Sequence, residues 1–430
     1  MTSDRGGIQC SASRRRRRDR TESRSPAPIG VLFLQSQEYF GADSSIHALI
    51  ARHLDRPRFD VHVACSAGSH SQASPSLEAF DQIPATTVRK TNFGPSVFAL
   101  TARQRLLQLV RGIPAGWDLP LLAGYCLQHR IKVIHCTEKP RDVVYGRFLA
   151  KLVGAKLVVH MHVKFHDQLT PRAKAGILNA DCVIAISRFV SESLVAGGVP
   201  EDRIVIVPNA IDAKTWATHE VPPRLRETLG MAQTDPMILT ASRLFAWKGH
   251  RELVRAMRLV VEQVPGARLV IVGEDDPRAH PGGGSFRLEL ESLVRELNLG
   301  ANVSFTGFRR DVRDLMQAAD VFAMPSFEEP FGMVFLEAMA LERPVVALAN
   351  GGTLDVVEHG RSGLLSEPGD IDSLAQNLLS LVLNKELRRT MGAYGQSRVI
   401  SHYSPQRLAQ DVGAVYSNLI ESPMRTASTA

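Results

Sequence analysis

The chain has 430 residues, of which 44% are hydrophobic and 22% charged, and this composition predicts two or three globular domains with ample apolar core. No run reaches the roughly 18 apolar residues that a membrane-spanning helix needs, which argues against an integral membrane protein. The five cysteines are scattered and form no Cys-x-x-Cys pair. They therefore favour a reducing, cytoplasmic compartment and argue against a disulfide framework or a zinc site.

The N-terminal segment carries most of the net charge of +7, because residues 1–28 hold eight arginines and only three acidic residues. Its Ser-, Arg- and Pro-rich composition predicts a disordered Arg-rich tail over residues 1–27. No apolar stretch follows the arginines, as a signal peptide would require. An arginine run can bind nucleic acid or anionic lipid, but a solvated tail is the favoured interpretation, and we expect no specific nucleic-acid partner.

Apolar runs typical of strands alternate with helical patterns through the first half of the chain. Most of these runs are continuous, as expected where helices cover both faces of a parallel sheet. One helical pattern covers Val97–Val110, and the whole alternation predicts a Rossmann-like domain over residues 28–217. The predicted strands of this half are Ile29–Leu34, Phe59–Ala64, Lys132–Cys136, Lys156–His160, Cys182–Ile186 and Ile204–Val207.

The same alternation restarts after a Pro-rich connection at residues 208–223. Two such alternations in tandem predict an α/β protein with two doubly wound parallel-sheet domains that face each other across a cleft, the second over residues 218–402. A last helical pattern occupies residues 403–422. Ligands of these sheets lie beyond the carboxyl ends of the strands, so we looked there for sites. The predicted strands of this half are Met237–Thr240, Arg268–Val272, Val303–Thr306, Val321–Met324 and Val345–Leu348.

The most informative segment of the sequence lies between Met324 and Ala340. An apolar run ends there in a turn of Pro and acidic residues, and a helical pattern begins near Gly332. Helix starts present free backbone N–H groups and a positive dipole end, which bind phosphate well. Glu329 and Glu337 flank this helix start, so they could hold hydroxyl groups on either side of a phosphate. The segment predicts a nucleotide-sugar site; the alternative is an ordinary strand–helix unit with two solvated glutamates.

The loop at residues 242–249 places two cations after another strand of the second half. Arg243 lies just past the strand and Lys248 at the start of the next helix, and such a pair suits a diphosphate. In the next loop, Gly273 permits close backbone approach to a ligand. The three carboxylates at residues 274–276 could suggest a metal, but carboxylates in a loop are more often solvated, and we expect that here.

Two further loops of the second half complete the predicted donor site. The strand end at residues 305–309, which includes Phe308, could read the edge of a base through its backbone. The paired glycines Gly351 and Gly352 open a short helix and are expected to supply more backbone N–H groups to a ligand. The sequence contains no G-x-S-x-G, H-E-x-x-H, P-loop or complete G-x-G-x-x-G, so hydrolase, metalloprotease, NTPase and dinucleotide-binding interpretations lack their signatures.

The first half offers fewer candidate residues. Gly41 and Ala42 follow the first strand at the start of a helix, where a small residue often faces a cleft. A second candidate is the strand end that carries His160 and His162. Strand alternation puts both histidines on the same side of the sheet, and the alternative to a ligand contact is that one of them is a core histidine with its hydrogen bonds satisfied.

Taken together, these motifs resemble those of the retaining glycosyltransferases of family 4, the glycosyl transferases group 1, which have the GT-B fold of two Rossmann-like domains. The resemblance covers residues 28 to 422 and is strongest from 237 to 370. Departures include Ser242 where the family usually has Gly, and Val163 after His162 where Asp or Gly is frequent. The segments that carry the resemblance are Pro208–Asp212, Ser242–Gly249, Glu329–Glu337, Pro344–Ala347 and Asn350–Leu365.

The resemblance implies a role for each matching residue. Arg243 and Lys248 would neutralise the diphosphate of the donor, and Glu329 would hold the sugar hydroxyls. His162, with His160 as its rival, would contact the donor sugar. The predicted catalytic residues are therefore Arg243, Lys248, Glu329 and His162. Glu337 would bind the ribose. The donor-binding residues would be Gly41, Gly273, Phe308, Phe331, Gly332, Met333, Val334 and Glu337.

The resemblance also implies the reaction. We predict a retaining transfer of a sugar from a UDP- or GDP-linked donor to an acceptor hydroxyl, with the nucleotide sugar as co-substrate and with no metal or other cofactor. The acceptor would be a saccharide, a lipid-linked sugar or a small molecule, bound by the first half. The last helix would cross back to the first domain, and a lipid acceptor would imply peripheral contact with the inner face of the membrane. The alternative is another GT-B enzyme, such as a nucleotide-sugar epimerase or a glycoside phosphorylase.

Overall fold

The computed structural model describes residues 27–67, 74–94, 118–166, 169–216, 220–222, 224–276 and 284–421. The predicted Arg-rich tail, apart from its last residue, and the predicted helix Val97–Val110 lie outside these ranges. Among the described residues, none of the helices is both long enough and apolar enough to cross a bilayer.

The first domain is built on a sheet of seven parallel strands in the order β3-β2-β1-β4-β5-β6-β7. Its central strands are almost completely buried, because the continuous apolar runs place side chains in the cores on both faces. The strand order reverses between β1 and β4, and this switch point opens a crevice at the carboxyl edge of the sheet. The strands are β1 Ile29–Gln35, β2 Phe59–Ser66, β3 Thr86–Thr91, β4 Ile131–Thr137, β5 Lys156–Met161, β6 Cys182–Ala185 and β7 Ile204–Ile206.

Helices cover both faces of this sheet. Three of them begin with a cap that the sequence encodes: Ser74, Thr170 and Ser187 each accept a hydrogen bond from a backbone N–H in the first helical turn. The helices are α1 Ala42–His53, α2 Pro75–Asp81, α3 (which includes residues 118–128), α4 Pro140–Val153, α5 Pro171–Leu178 and α6 Arg188–Ala196.

The second domain repeats the plan with six parallel strands in the order β10-β9-β8-β11-β12-β13. Its strands are β8 Met237–Ala241, β9 Arg268–Val272, β10 Val303–Gly307, β11 Val321–Ala323, β12 Val345–Leu348 and β13 Gly363–Ser366. Its helices are α7 Leu225–Thr228, α8 His250–Gln263, α9 Phe286–Glu296, α10 Val312–Ala318, α11 Met333–Ala340, α12 Thr353–Val356, α13 Ile371–Leu383 and α14 Lys385–His402. The predicted fold class, with two Rossmann-like parallel-sheet domains, is confirmed.

The last helix, α15, runs from Pro405 to Glu421 and packs against α1 of the first domain. Its Tyr416 is fully buried, donates or accepts a 2.6 Å hydrogen bond with Nδ1 of His135, and packs edge-on against Phe59. The chain thus leaves the second domain after α14 and ends on the first. This crossing fixes the carboxyl edges of the two sheets on opposite sides of one cleft.

The structure corrects one local prediction at the edge of this cleft. Lys248 does not begin a helix; it ends a 3₁₀ turn over Ala246–Lys248, and α8 begins at His250. The residue between them, Gly249, has a φ of 75°, a left-handed conformation that favours glycine. The turn places Lys248 at the wall of the cleft. As the first residue of an α-helix, Lys248 would instead be part of α8.

Candidate active site in the interdomain cleft

A cavity of about 850 Å³ lies in the cleft, between the carboxyl edges of the two sheets. Most of its wall comes from loops of the second domain that follow β8, β9, β10 and β11. The volume is within the range of small-molecule sites, and the two walls bring together polar groups from distant parts of the sequence. The first-domain residues that line it are Ala42, Asp43, His162, Val163, Ile186 and Asn209.

The predicted site residues converge on this cavity. The structure brings every residue of the predicted catalytic and donor-binding sets except Gly41 to its wall. Those that line the cavity are His162, Arg243, Lys248, Gly273, Phe308, Glu329, Phe331, Gly332, Met333, Val334 and Glu337.

Lys248 and Glu329 form an ion pair at the centre of the second-domain wall. Nζ of Lys248 lies 2.7 Å from Oε2 of Glu329, and the two side chains are only 14% and 9% exposed. The same ammonium lies 4.1 Å from the ring centroid of Trp247. A buried pair of this kind leaves either charge uncompensated if its partner is removed. The two residues therefore act as one unit, in which a diphosphate can replace the carboxylate as the partner of the ammonium.

Arg243 and Asp276 form a second ion pair on the same wall. Nη1 of Arg243 donates to Oδ2 of Asp276 over 2.5 Å, and the carboxylate is almost fully buried while the guanidinium is exposed. Asp275 accepts a hydrogen bond from the backbone N–H of Arg287 at the start of α9. The expectation that the carboxylates at residues 274–276 are solvated is wrong for these two, because each has a protein partner. The guanidinium of Arg243 is thus held at the cavity wall while its side chain stays 62% exposed.

The start of α11 forms the floor of the second-domain wall. Gly332 precedes it with a φ of 93°, and a side chain there would clash with the ring of Phe335 at 2.2 Å. Met333 and Val334 open the helix, and the first N–H groups of a helix have no carbonyl partner within it. These amides and the positive end of the helix dipole face the cavity, where they suit a phosphate.

Glu337 lies one turn further along α11, where its side chain is half-buried and lines the cavity. Burial raises the pKa of this group to about 7, because the charged form loses its hydration. A ligand that donates hydrogen bonds to the carboxylate would compensate for the lost water. The hydroxyl groups of a ribose are donors of that kind.

The paired glycines have a different role from the predicted one. A side chain on Gly352 would lie 2.2 Å from the carbonyl oxygen of Pro330, and one on Gly351 would lie 2.7 Å from that of Glu329. The N–H of Gly352 donates to the carbonyl of Glu329 over 2.7 Å. The glycines thus allow the loop that carries Glu329 to pack closely against their backbone. The amide of Gly352 donates its hydrogen bond to that loop and not to a ligand.

Gly273 shows the same kind of close approach. Its φ is 138°, and a side chain there would lie 1.8 Å from the carbonyl oxygen of Ser242. The residue lines the cavity, but the backbone that approaches it closely belongs to the neighbouring loop. Glycine is required here because adjacent loops pack against each other, which in turn fixes Arg243.

The first-domain wall is built around His162. Its backbone N–H donates to Oε2 of Glu138 over 3.2 Å. Burial lowers the pKa of the imidazole, and the carboxylates of Glu138 and Asp43 offset only part of this effect, so the ring is neutral at pH 7. His160 is fully buried behind it and does not line the cavity. The structure therefore assigns the cavity-facing position to His162.

Gly41 is not part of the cavity wall. It precedes α1 with an extended backbone, and a side chain there would contact Asp43 and Tyr39. The next two residues, Ala42 and Asp43, line the cavity in its place. The predicted loop thus reaches the cavity through Ala42 and Asp43, and Gly41 lies just outside the wall.

Three hydrogen-bonded contacts join the two domains beside the cavity. Nζ of Lys164 lies 2.8 Å from Oε1 of Glu328, and the hydroxyl of Ser187 donates to the carbonyl of Pro330 over 2.7 Å. Arg188 pairs with Asp355 at 2.5 Å. All three reach the loop that carries Glu329 or the helix beneath it, so the relative position of the domains and the shape of the donor wall are coupled.

Sequence reasoning missed several residues of the cavity wall. Asp276 was set aside as solvated, although its place after a strand end was a usable signal. Asp43 follows a loop that was recognised, and its acidic charge in the first turn of α1 could have drawn attention to it. Asn209 lies in the interdomain segment 208–212, where no motif distinguishes it from its neighbours. Trp247 is an exposed aromatic residue in a recognised loop and could have been found there.

The fold and the site define a two-domain α/β protein with a polar interdomain cleft. Two models of known protein families match its sequence. The model for "glycosyl transferases group 1" matches residues 223–398, and that for a "glycosyl transferase 4-like domain" matches residues 45–210. The two matches cover every strand of the second sheet and every strand of the first except β1. The chain belongs to the group 1 glycosyltransferases, a family of enzymes, and the resemblance noted in its motifs is confirmed.

Two curated relatives show how far the similarity extends. N-acetyl-alpha-D-glucosaminyl L-malate synthase of Bacillus anthracis is 27% identical over 315 residues, which are 71% of this chain and 80% of that protein. D-inositol 3-phosphate glycosyltransferase of Xylanimonas cellulosilytica is 35% identical over 293 residues, which are 66% of this chain and 63% of that protein. The chain thus spans less than two thirds of the second relative.

Solved structures show the same fold. The crystal structure of Anabaena HepE in complex with UDP and glucose superposes with a TM-score of 0.71 at 22% identity, and covers 91% of this chain and 100% of that one. Sucrose-phosphate synthase from Thermosynechococcus elongatus gives 0.69 at 22% identity, with 92% and 100% covered.

Proposed function

We propose that this protein transfers a hexosyl residue from a nucleoside diphosphate sugar to an acceptor hydroxyl, with retention of the anomeric configuration and without a metal ion. The observation that carries the proposal is the cavity itself. It places two cations, a helix start and two carboxylates on one wall, and a neutral histidine on the other. The UDP present in the HepE complex, and the sugar products named for the curated relatives, support a nucleotide-sugar donor.

The donor would lie along the second-domain wall. Its diphosphate would bind between Arg243, Lys248 and the N-terminus of α11, and its ribose would bind Glu337. Released from Lys248, Glu329 would accept hydrogen bonds from the sugar hydroxyls. This arrangement puts positive charge where negative charge develops as the bond to the leaving diphosphate breaks, which is usually the largest catalytic contribution.

The acceptor would enter from the first-domain side, past His162 and Asp43. In the proposed reaction the acceptor oxygen attacks from the face of the departing diphosphate, which takes up the acceptor proton. Glu329, the carboxylate nearest to Lys248, is paired with it and is assigned to the sugar hydroxyls in this scheme, not to a covalent intermediate. Closure of the two domains would exclude water and limit hydrolysis of the donor.

The first experiment identifies the donor. Purified protein is incubated with UDP-glucose, UDP-N-acetylglucosamine, UDP-galactose or GDP-mannose in EDTA, and released nucleoside diphosphate is measured. Release from one donor is expected in the wild type and not in Glu329→Gln. Glu262→Gln is the matched control, since this side chain on α8 is 47% exposed and pairs with Arg258 outside the cavity. Equal release by the wild type and Glu329→Gln would contradict the proposal.

Product analysis separates the proposal from other enzymes of the same fold. A transferase forms a glycoside whose anomeric configuration, read by NMR, equals that of the donor. An epimerase would convert the sugar without forming a glycoside, and a phosphorylase would need inorganic phosphate as a reactant. A glycoside of inverted configuration, or a reaction that stops when divalent cations are removed, would overturn the retaining or the metal-free part of the proposal.

The proposal includes a cytoplasmic location and, for a lipid-linked acceptor, peripheral contact with the membrane. Four free, buried cysteines are typical of a reducing compartment. On α4, Phe148 and Leu152 are 52% and 55% exposed and lie beside the cations Arg147 and Lys151. Sedimentation with anionic vesicles tests the contact: binding should fall in the Phe148→Ser/Leu152→Ser double variant, and unchanged binding would assign it to another surface.

A further inference from the structure

Three buried histidines meet behind the first-domain wall of the cleft. His47 lies on α1, His135 on β4 and His160 on β5, and all three are fully buried. One ring nitrogen of each lies within 4.8 Å of the corresponding atoms of the other two. Strand alternation explains part of this meeting, because His135 and His160 point to the sheet face that α1 and α15 cover.

Four ring nitrogens of these three histidines have no hydrogen-bond partner. Nε2 of His47, Nε2 of His135 and both ring nitrogens of His160 are buried and unpaired. A buried polar atom without a partner is destabilising, and native structures rarely leave several such atoms at one place. A ligand shared by the three imidazoles, through one nitrogen of each ring, would satisfy three of these four atoms.

The opposite nitrogens of two rings are held as they are in metal sites. Nδ1 of His47 lies 2.6 Å from the side-chain amide of Gln35, and Nδ1 of His135 lies 2.6 Å from the hydroxyl of Tyr416. Metal-binding histidines usually donate their second N–H to such a partner, which fixes the ring and the tautomer. With the Gln35 amide turned so that its oxygen accepts from His47, its NH2 group faces Ser44 and can donate to that hydroxyl.

We propose that His47, His135 and His160 bind a divalent transition-metal ion, with Zn²⁺ the best fit. Imidazole nitrogen is a common ligand of such ions, and the three rings come from three different elements of the first domain. Zinc–nitrogen bonds of about 2.0–2.1 Å require the three nitrogens to approach each other by small ring rotations. The nearest further imidazole is His162, whose ring centroid lies 4.3 Å from that of His160.

The site is separate from the proposed donor chemistry. Its ligands are on α1, β4 and β5, whereas the predicted diphosphate residues are on loops of the second domain. The ion would tie α1 to the sheet directly behind the cavity wall formed by Asp43 and His162. Its predicted effect is therefore on the stability of the first domain, and its presence can be tested without a transfer assay.

The test is metal binding by untagged full-length protein after treatment with a chelator. Titration with Co²⁺ should show one equivalent bound, with the visible absorption bands of a four-coordinate ion, and Zn²⁺ should displace it and raise Tm by a few degrees. His160→Gln should weaken binding at least roughly 100-fold, since loss of an outer partner alone costs 10–100-fold. This variant loses no hydrogen bond of the buried ring nitrogens.

His62→Gln is the matched control. His62 is also buried in the first domain and bonds a tyrosine hydroxyl, that of Tyr125, over 2.6 Å, but it lies outside the cluster. This variant should bind Co²⁺ as the wild type does. Absence of stoichiometric binding, or equal affinity in wild type and His160→Gln, would overturn the proposal. If His160→Gln does not fold, X-ray absorption of the zinc-loaded wild type decides: a ligand shell with fewer than three imidazoles refutes the site.

Discussion

The two walls of the cleft carry their polar groups in different ways. The second-domain wall uses charges held in pairs, Lys248 with Glu329 and Arg243 with Asp276. The first-domain wall presents a neutral imidazole, that of His162, with more histidines behind it. The difference matches the two halves of the proposed reaction. A diphosphate needs positive charge, and a sugar that passes to a neutral hydroxyl group needs hydrogen bonds and a site from which water is excluded.

The walls also differ in how they are kept rigid. Adjacent loops of the second domain are bonded through their backbones: the N–H of Phe327 donates to the carbonyl of Trp247 over 2.7 Å, and that of Gly273 to Gly307 over 3.0 Å. The first-domain wall depends on packing of α1 and α15 over the sheet. Hydrogen bonds between the backbones of adjacent loops require glycines at fixed places in the sequence. Packing of helices on a sheet requires only complementary apolar surfaces.

Loss of the central cation should have the largest effect. Lys248→Ala removes a charge next to the proposed diphosphate and leaves Glu329 buried without its partner. We expect the turnover number to fall by about 10²–10³. Arg251→Ala is the control, because Arg251 pairs with Glu289 away from the cavity. Normal turnover of Lys248→Ala under saturating donor would refute the diphosphate assignment and the contrast between the walls.

A backbone change tests the rigidity of the second-domain wall. Gly249→Ala adds strain at a φ of 75° and places a methyl group 1.9 Å from the carbonyl oxygen of Pro325, so the two loops must separate. The free energy of unfolding should fall by a few kcal/mol. Gly230→Ala, at a φ of 71° with open space around it, should cost only about 1 kcal/mol. Similar denaturant midpoints for the two variants would show that the loops are not tightly packed.

The pH dependence of donor binding tests Glu337. The pKa of Glu337 is about 7, above the ordinary value of 4.5. Between these two pH values the carboxyl is therefore protonated in the folded protein and ionised in the unfolded chain. Its contribution to stability is therefore present at low pH and is lost as pH rises through 7. Ribose hydroxyls favour the ionised form, so affinity for a nucleotide sugar should rise about tenfold from pH 6 to 8.

Isothermal titration at several pH values measures this change, with a nucleotide sugar in place of a free diphosphate because the latter titrates in the same range. Glu337→Gln is the control and should bind with little dependence on pH. A wild-type affinity that stays constant, or falls, between pH 6 and 8 would remove Glu337 from the ribose site.

The smallest effect is expected from loss of an ion pair between the two domains. Arg188→Ala removes the ion pair with Asp355 across the domains, but the backbone N–H of Arg188 still donates to that carboxylate. Exposed pairs contribute at most about 1 kcal/mol, so KM for the donor should rise by a factor of about 2–5, less at high salt. Arg172→Ala, an exposed change on α5, should leave KM unaltered. An increase of more than tenfold would mean that domain closure depends on this one contact.

Most of the fold could be predicted because buried parallel strands are continuous apolar runs. The prediction missed β3, an edge strand of Thr, Arg and Lys whose side chains are partly exposed, since its stability comes from pairing with β2. It also missed the role of Gly351 and Gly352, which is decided by the loop that passes over them. Spacing along the chain does not show which backbone approaches a glycine.

The sequence by itself determined the two α/β domains, the family and the loops of the donor wall, because these depend on local patterns: apolar runs, turn residues, and charges next to strand ends. The tertiary structure alone decided which carboxylate meets which cation, that His162 and not His160 faces the cavity, and that Asp43 replaces Gly41 there. It also decided that His47, His135 and His160 meet. These facts depend on contacts between elements far apart in the chain, where the packing of side chains, and not the local pattern, selects the partner.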